Sequence, residues 1–402
     1  MLSRPQIPDA LDYDLDPQTG FVLSQAVDLP EYYRPWCQLC SDLPQLLQTR
    51  TLRARVDSLE TLSPEHLVGP AYWKRAYLVL GYLTQAYIWQ DKTNPSPIIP
   101  ASIGDPFIKI CNHLGTAPVL SYAGSSLSNW MPLSDNNGHP DPAEILTDFS
   151  RIKSYVTFTG TRDEDAFNMV PSMVEATGGK LITLLLDIIR VERTGHAPDL
   201  LPVLQICSST FKRMAEILSI LHQNCNPDFF YHQIRPMLAG SAGAQDKGLP
   251  DGVTIYCSDG SVVVVRCVGA SAGQSSLFQF YDHVLGVEHG SKMLVTMRPY
   301  MPRLHREFLG AVEALPSLRD IVDCHYPDDG EVLAAFQLAL DALRHFRTKH
   351  IAIVSRYIVQ PAAAEAKRML ADGLQPVLEE KGTAGSKPVP FLKQYRDETV
   401  PI

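Results

Sequence analysis

The chain has 402 residues, of which 45% are hydrophobic and 20% charged; this excludes an intrinsically disordered polypeptide and leaves ample apolar material for a large core. At about 150 residues per domain the length predicts two to three domains. A net charge of −9 with a pI near 5.7 implies no basic face, so nucleic acid is not an expected partner.

The first residues, Met-Leu-Ser-Arg-Pro-Gln-Ile-Pro-Asp, form no apolar signal core, and the most apolar windows (76–89 and 180–191) carry polar or charged residues and fall short of the ~18–20 needed for a membrane span. A cytoplasmic, non-membrane monomer is therefore expected. The eight cysteines are scattered and read as thiols; Cys37 and Cys40 form a lone C-x-x-C with no second pair or suitably spaced His, which fits a structural pair on an amphipathic helix.

In chain order, apolar residues at three- to four-residue steps predict a helix within 29–58, through Leu29, Tyr32, Trp36, Leu39, Leu43, Leu46 and Leu47. A second follows Pro70. The stretch 94–106, rich in Pro and Ser, breaks the pattern, and further helices are expected over 106–114 and 119–130. The loop signal 132–142 (PLSDNNGHPDP) marks a boundary between a small N-terminal helical domain, 1–131, and a large helical domain, 132–402. Within the latter, 166–191 and 200–225 read as long helices. Val253–Tyr256 and Val262–Val265 around Asp259-Gly260 read as a β-hairpin, the one convincing β signal. A helix over 331–360, capped near Asp328-Asp329 and ending before Pro361, precedes a mixed tail. The fold class is mostly α with a minor β-hairpin.

Phosphate-binding glycine loops, the G-x-S-x-G elbow and H-E-x-x-H are absent. The 331–360 helix instead carries ionisable residues in its apolar stripe. Phe336, Leu340, Leu343, Val354 and Ile358 define that stripe, and Arg347 and His350 continue it. A histidine there is either a satisfied core residue or a ligand. An imidazole with a guanidinium one turn away suits haem, whose iron takes an axial His and whose propionates need cations. His345, about 500° away around the helix (five steps of ~100°), faces elsewhere. The small-residue stretch Gly269–Ser276 is either a flexible loop or a close approach to a flat ligand. Phe229–Arg235 could hold an aromatic carboxylate, or be core with a surface Arg.

Taken in order, these segments resemble the indoleamine 2,3-dioxygenase family. The matching pieces include Tyr122-Ala…Asn129-Trp130, Phe158-Thr-Gly-Thr-Arg-Asp-Glu-Asp165, Asn226-Pro…Phe230-Tyr-His-Gln-Ile-Arg-Pro236 and Ser271-Ala-Gly-Gln-Ser-Ser-Leu-Phe-Gln279. They continue with Met297-Arg-Pro-Tyr-Met-Pro-Arg-Leu-His-Arg306, Lys349-His350, Lys381-Gly-Thr383 and Phe391-Leu-Lys393, so the likeness spans nearly the whole chain. The resemblance implies a small helical domain over a large one with haem b between them. It implies His350 as iron ligand, Arg347 as propionate partner with Asp282 behind it, and Phe278, Ser271 and Ala272 beside the haem. It further implies Phe230 against the indole, Arg235 on the substrate carboxylate, Tyr122, Ser125, Phe167 and Pro171 in the distal pocket, and Ser271, Ala272 and Thr383 in the closing loops. The implied reaction opens the pyrrole ring of L-tryptophan with O₂ to N-formylkynurenine, on ferrous haem kept reduced by an electron donor.

The departures from the family pattern cluster on the distal side. Pro171 stands where a serine is usual, with Ser172 one step late; Ala270 and Ala384 replace glycines; Ser125 replaces an apolar residue or Cys. These changes are either drift or a pocket reshaped for another indole, such as a tryptophan derivative or peptide. A haem-binding sensor with little turnover is the alternative from a different class, against which Phe230 and Arg235 speak.

Overall fold

Apolar residues recurring at helical spacing fold most of the chain into helices, and the computed structural model describes residues 5–133, 141–374 and 388–399. The helix expected within 29–58 is divided into α1 (Arg34–Ser41), α2 (Leu43–Gln48) and α3 (Leu52–Asp57). Pro35 and Pro44 each sit in a first turn, where the missing N–H is harmless, and Arg50 turns the chain with φ 56°. α4 (Pro70–Trp89) is buried continuously from Arg75 to Trp89 and runs through the interior. α5 (Ala101–Leu114) begins five residues earlier than expected, because Pro106 lies near its start and removes only the bond to the Ser102 carbonyl.

Residues 119–130 were expected to be helical, yet form only a π turn, π1 (Ala123–Leu127). Tertiary acceptors take the backbone donors a helix would use: the Ser121 N–H bonds the Tyr77 hydroxyl (3.1 Å) and the Tyr122 N–H bonds Gln274 Oε1 (2.9 Å). The long helices are α6 (Arg162–Arg193), which continues through Pro171, and α7 (Leu200–Asn224). A second π turn, π2 (Phe230–Ile234), follows, then α8 (Ser276–Val284) and α9 (Gly330–Val354). The Asp329 side chain caps α9 by accepting from the Glu331 and Val332 N–H groups. Helix does not stop before Pro361 as expected. A third π turn, π3 (Ser355–Val359), leads into α10 (Gln360–Ala371), whose first turn accommodates Pro361. α11 (Pro388–Asp397) docks on α9, which packs along α7, itself packed along α6.

The hairpin forms as expected, with Val253–Tyr256 (β2) antiparallel to Val262–Val265 (β3). β2 also pairs in parallel with Ile98–Ile99 (β1), and Met131–Pro132 pairs with Ile152–Lys153; two-residue strands are too short to show periodicity. One continuous apolar core joins Ala10 near one end to Tyr357 near the other. No helix among the described residues is long and apolar enough to cross a membrane.

Candidate active site

The stripe on α9 opens onto a cavity of about 300 Å³. Phe346, Arg347, His350, Ile353 and Val354 line it at helical spacing, while His345 on the opposite side is exposed. His350 meets no protein hydrogen-bond partner among the described residues, and burial pushes its imidazole down to about 4. At neutral pH it is an uncharged ring at the edge of a mostly apolar space.

The facing wall is built from the irregular elements. Tyr122 comes from just before π1, Ser125 and Ser126 from π1 and Phe230 from π2, while Tyr357 and Ile358 of π3 continue the α9 stripe, a concentration of π turns around one cavity. Phe167 and Phe230 lie with ring centroids 4.6 Å apart, and Tyr357 meets Phe230 edge-on at 5.9 Å. Arg235, buried, brings its guanidinium to this apolar wall and over the Tyr231 ring at 5.1 Å. Pro171 presents its ring to the cavity. Ser172, one residue later, turns away, donating to the Asn168 carbonyl (3.1 Å) and to the Ser126 carbonyl, so that it fastens π1 to α6.

The stretch 269–276 is an ordered turn. Ser271 caps a 3₁₀ turn, Ser275 caps α8, and Ala270–Gly273 border the cavity. Gln274 braces it by accepting from the Tyr122 N–H and donating to the Gly269 carbonyl, 2.9 Å each. Behind the wall, fully buried Glu175 accepts from the Tyr122 hydroxyl (3.1 Å) and the Ser275 hydroxyl (2.5 Å), and burial pushes its carboxyl up to about 7.

On the α9 side Arg347 is pinned from two directions. It ion-pairs with Asp282 of α8 and donates to the Tyr395 carbonyl (3.2 Å) and the Thr399 hydroxyl. Asp282 Oδ2 lies 2.9 Å from His289, whose other nitrogen meets Glu398 at 2.7 Å. α11 completes the enclosure with Phe391, Leu392 and Tyr395.

The lining fits a haem. A single unpartnered neutral imidazole is the donor that haem iron requires of a protein, and no cluster of three or more His, Cys, Asp or Glu suited to a protein-only metal centre occurs among the described residues. Phe278 stacks on Phe346 at 4.9 Å in the same wall, giving a flat apolar surface next to Arg347.

Of the residues singled out from sequence, Tyr122, Ser125, Phe167, Pro171, Phe230, Arg235, Ser271, Ala272, Phe278, Asp282, Arg347 and His350 all border this one cavity. Thr383 and Ala384 lie outside the described residues. Sequence reasoning missed Glu175, Gln274, Ser126 and Tyr395. An acidic residue amid the apolar run of α6 was a signal for Glu175; nothing local flags the others.

A sequence model of the family described as indoleamine 2,3-dioxygenase matches residues 9–401. The chain is similar to the 6-hydroxytryptophan 2,3-dioxygenase of Fusarium equiseti, at 35% identity over 96% of this chain and 96% of that protein. It is also similar to the indoleamine 2,3-dioxygenase of Saccharomyces cerevisiae (32%, covering 99% and 94%) and to indoleamine 2,3-dioxygenase 2 of Homo sapiens (30%, covering 99% and 97%). With a cavity suited to haem and a family match running the length of the chain, the protein belongs to the indoleamine 2,3-dioxygenase family, whose members are haem-dependent dioxygenases.

Proposed function

We propose that the protein opens the pyrrole ring of L-tryptophan, placing the two atoms of O₂ on indole C2 and C3 as the bond between them breaks, to give N-formylkynurenine. The observation that carries this reading is the joining, in one cavity, of the unpartnered His350 imidazole with the Phe167–Phe230 wall and buried Arg235. Haem b, kept ferrous by an electron donor, supplies the site of O₂ activation when bound. His350 would hold its iron and Arg347, backed by Asp282, a propionate, with Phe278, Ser271 and Ala272 alongside. Arg235 takes the substrate carboxylate as a charge-assisted pair, and Phe230 with Phe167 fixes the indole plane, bordered by Tyr122, Ser125 and Pro171. Ser271 and Ala272, with Thr383, close the site, and the apolar lining excludes water from the reacting ring. No acid–base pair is needed, in keeping with a cavity wall whose carboxylate, Asp282, is engaged by Arg347. The division at 131/132 into two domains and a monomeric state belong to the same reading.

A second reading, a ring-hydroxylated tryptophan as substrate, is favoured by one feature. Ser125 and Ser126 border the cavity, and neither hydroxyl bonds a protein group among the described residues. They are thus open to a polar substituent, and a relative is named for 6-hydroxytryptophan. The test is to give the reduced, haem-loaded protein L-tryptophan and 6-hydroxytryptophan separately with O₂ and weigh the products. Many turnovers to a plus-two-oxygen product from tryptophan support the first reading. Turnover of the hydroxylated compound alone supports the second, and a haem Soret band without turnover of either overturns both.

A further inference from the structure

Glu175 is a buried carboxyl group beside the cavity wall that the proposed chemistry leaves unused. It sits one layer behind the cavity, at the point where α6, π1 and the start of α8 meet. Its two oxygens are treated unequally. Oε1 accepts from both the Tyr122 and the Ser275 hydroxyls, filling both lone pairs, whereas Oε2 is buried with no partner. That asymmetry favours a neutral acid, with a carbonyl-like oxygen taking two donors and the proton on the other, because a buried neutral hydroxyl without an acceptor costs less than a buried anionic oxygen without a donor. An anion would leave its second oxygen without a donor in a desolvated site. The titratable groups facing it are Tyr122, just before π1, and Tyr281 from α8, with Cys207 of α7 behind Tyr281. Burial raises all three away from the neutral range, and no Lys, Arg or His pairs with Glu175 among the described residues.

The two donors it holds matter because of where they sit. The Tyr122 ring lines the distal wall, and Ser275 ends the turn whose residues Ala270–Gly273 border the same cavity. The Gln274 bonds to Tyr122 and Gly269 cross-link the same two segments. Removing the proton from Glu175 strengthens its two bonds through Oε1 but leaves a buried charge on Oε2 with no donor among the described residues, and the junction between α6, Tyr122 and the turn must open for water to solvate it.

We propose that Glu175 is a positioning residue for the dioxygenase reaction: its neutral carboxyl group fixes Tyr122 and the Ser271–Ser275 turn against each other, and its ionisation loosens that closure and weakens substrate binding. This rests on the reading of the cavity as an indole site. Glu175→Gln retains an acceptor oxygen for both hydroxyls and does not ionise. Glu175→Ala removes the acceptor.

The test has two arms. In the first, infrared difference spectra of the resting holoenzyme are taken between about pH 6 and about pH 8, either side of the value near 7 that burial imposes. The wild type is expected to lose a protonated-carboxyl band that Glu175→Gln lacks. Buried Glu164, whose carboxyl burial also raises to about 7, contributes to both proteins and cancels in their difference. In the second, KM and kcat for tryptophan are followed over the same range. KM of the wild type should rise about tenfold per pH unit above the transition while kcat changes little. Glu175→Gln should hold the low-pH KM throughout, and Glu175→Ala should show a raised KM at every pH. An unchanged infrared spectrum, or the same KM rise in Glu175→Gln as in wild type, overturns the proposal. If the infrared band behaves as expected but no indole is turned over by the wild type, the indole reading fails and the ionisation of Glu175 stands.

Discussion

The two walls of the cavity are made in opposite ways. The α9 wall is one uninterrupted 25-residue helix, and its cavity-lining residues follow from a single period of 3.6. The facing wall is assembled from two π turns, a 3₁₀ turn and a helix carrying an internal proline, joined by hydrogen bonds between residues far apart in the chain: Tyr122 to Gln274 spans 152 residues and Ser275 to Glu175 spans 100. A continuous helix suits the side that holds a cofactor in one fixed geometry. Irregular turns put side chains where no helix or strand period would, which suits the side that must match the shape of a substrate. Of the departures from the family pattern, Ser125, Pro171 and Ala270 border this second wall, while His350, Arg347 and Asp282 are retained.

Breaking the regular wall should have the largest effect. His350→Ala removes the only unpartnered imidazole that faces the cavity from α9, and the purified protein should lose essentially all stable haem, read as haem per chain and Soret absorbance after gel filtration. Full haem retention with an unshifted Soret band would remove His350 as the ligand. Next is Arg235→Ala on the irregular wall. Truncating one partner of a buried charge pair costs about 2–5 kcal/mol, so KM for tryptophan should rise roughly 100-fold, with haem content unchanged. A variant that binds tryptophan like the parent would move the carboxylate elsewhere.

These two predictions concern residues that sequence made visible, and the contrast between the walls explains why. Arg347 and His350 were readable because polar residues at helical spacing within an apolar stripe announce a buried, functional face. Phe230 and Arg235 were readable only through a family pattern, since the π turn that carries them has no period of its own. Gln274 and Tyr395 were not readable as site residues, and Glu175 showed only as an acidic residue in an apolar run, because each acts through a partner dozens to more than a hundred positions away. The same cause hid the fate of 119–130, where acceptors on Tyr77 and Gln274 outcompete helix formation, and the continuation of helix past Pro361, which a π turn re-registers into a harmless first-turn position.

Asp282→Asn tests how strongly the regular wall is anchored to its neighbours. Removing one partner of a buried ion pair costs about 3–5 kcal/mol. Arg347 keeps its bonds to Tyr395 and Thr399, and its side chain is 11% exposed at the cavity edge, so a loss on the order of 2 kcal/mol is expected. Denaturant unfolding of the haem-loaded and haem-free proteins reads it, and a variant as stable as the parent in both forms would show that Asp282 does not anchor Arg347.

The smallest effect separates drift from reshaping on the irregular wall. Pro171 lies inside α6, where it denies the Phe167 carbonyl its helical donor and points an apolar ring at the cavity. Pro171→Ser restores that backbone bond and adds a hydroxyl beside Ser126, whose carbonyl is already held by Ser172. If the proline is drift, the substitution should stabilise the protein by about 1 kcal/mol and leave the ratio of kcat/KM for tryptophan and 6-hydroxytryptophan within about twofold of the parent. If the wall has been reshaped around the proline, exchanging its ring for a smaller, polar side chain changes the shape and polarity that a ring substituent meets, and that ratio should shift by about five- to tenfold, the effect of one polar contact in a tight pocket. A stability gain with a fixed ratio would show that the irregular wall tolerates change at Pro171 as a matter of backbone alone. A shifted ratio would show that the helix gives up a hydrogen bond in order to shape the pocket.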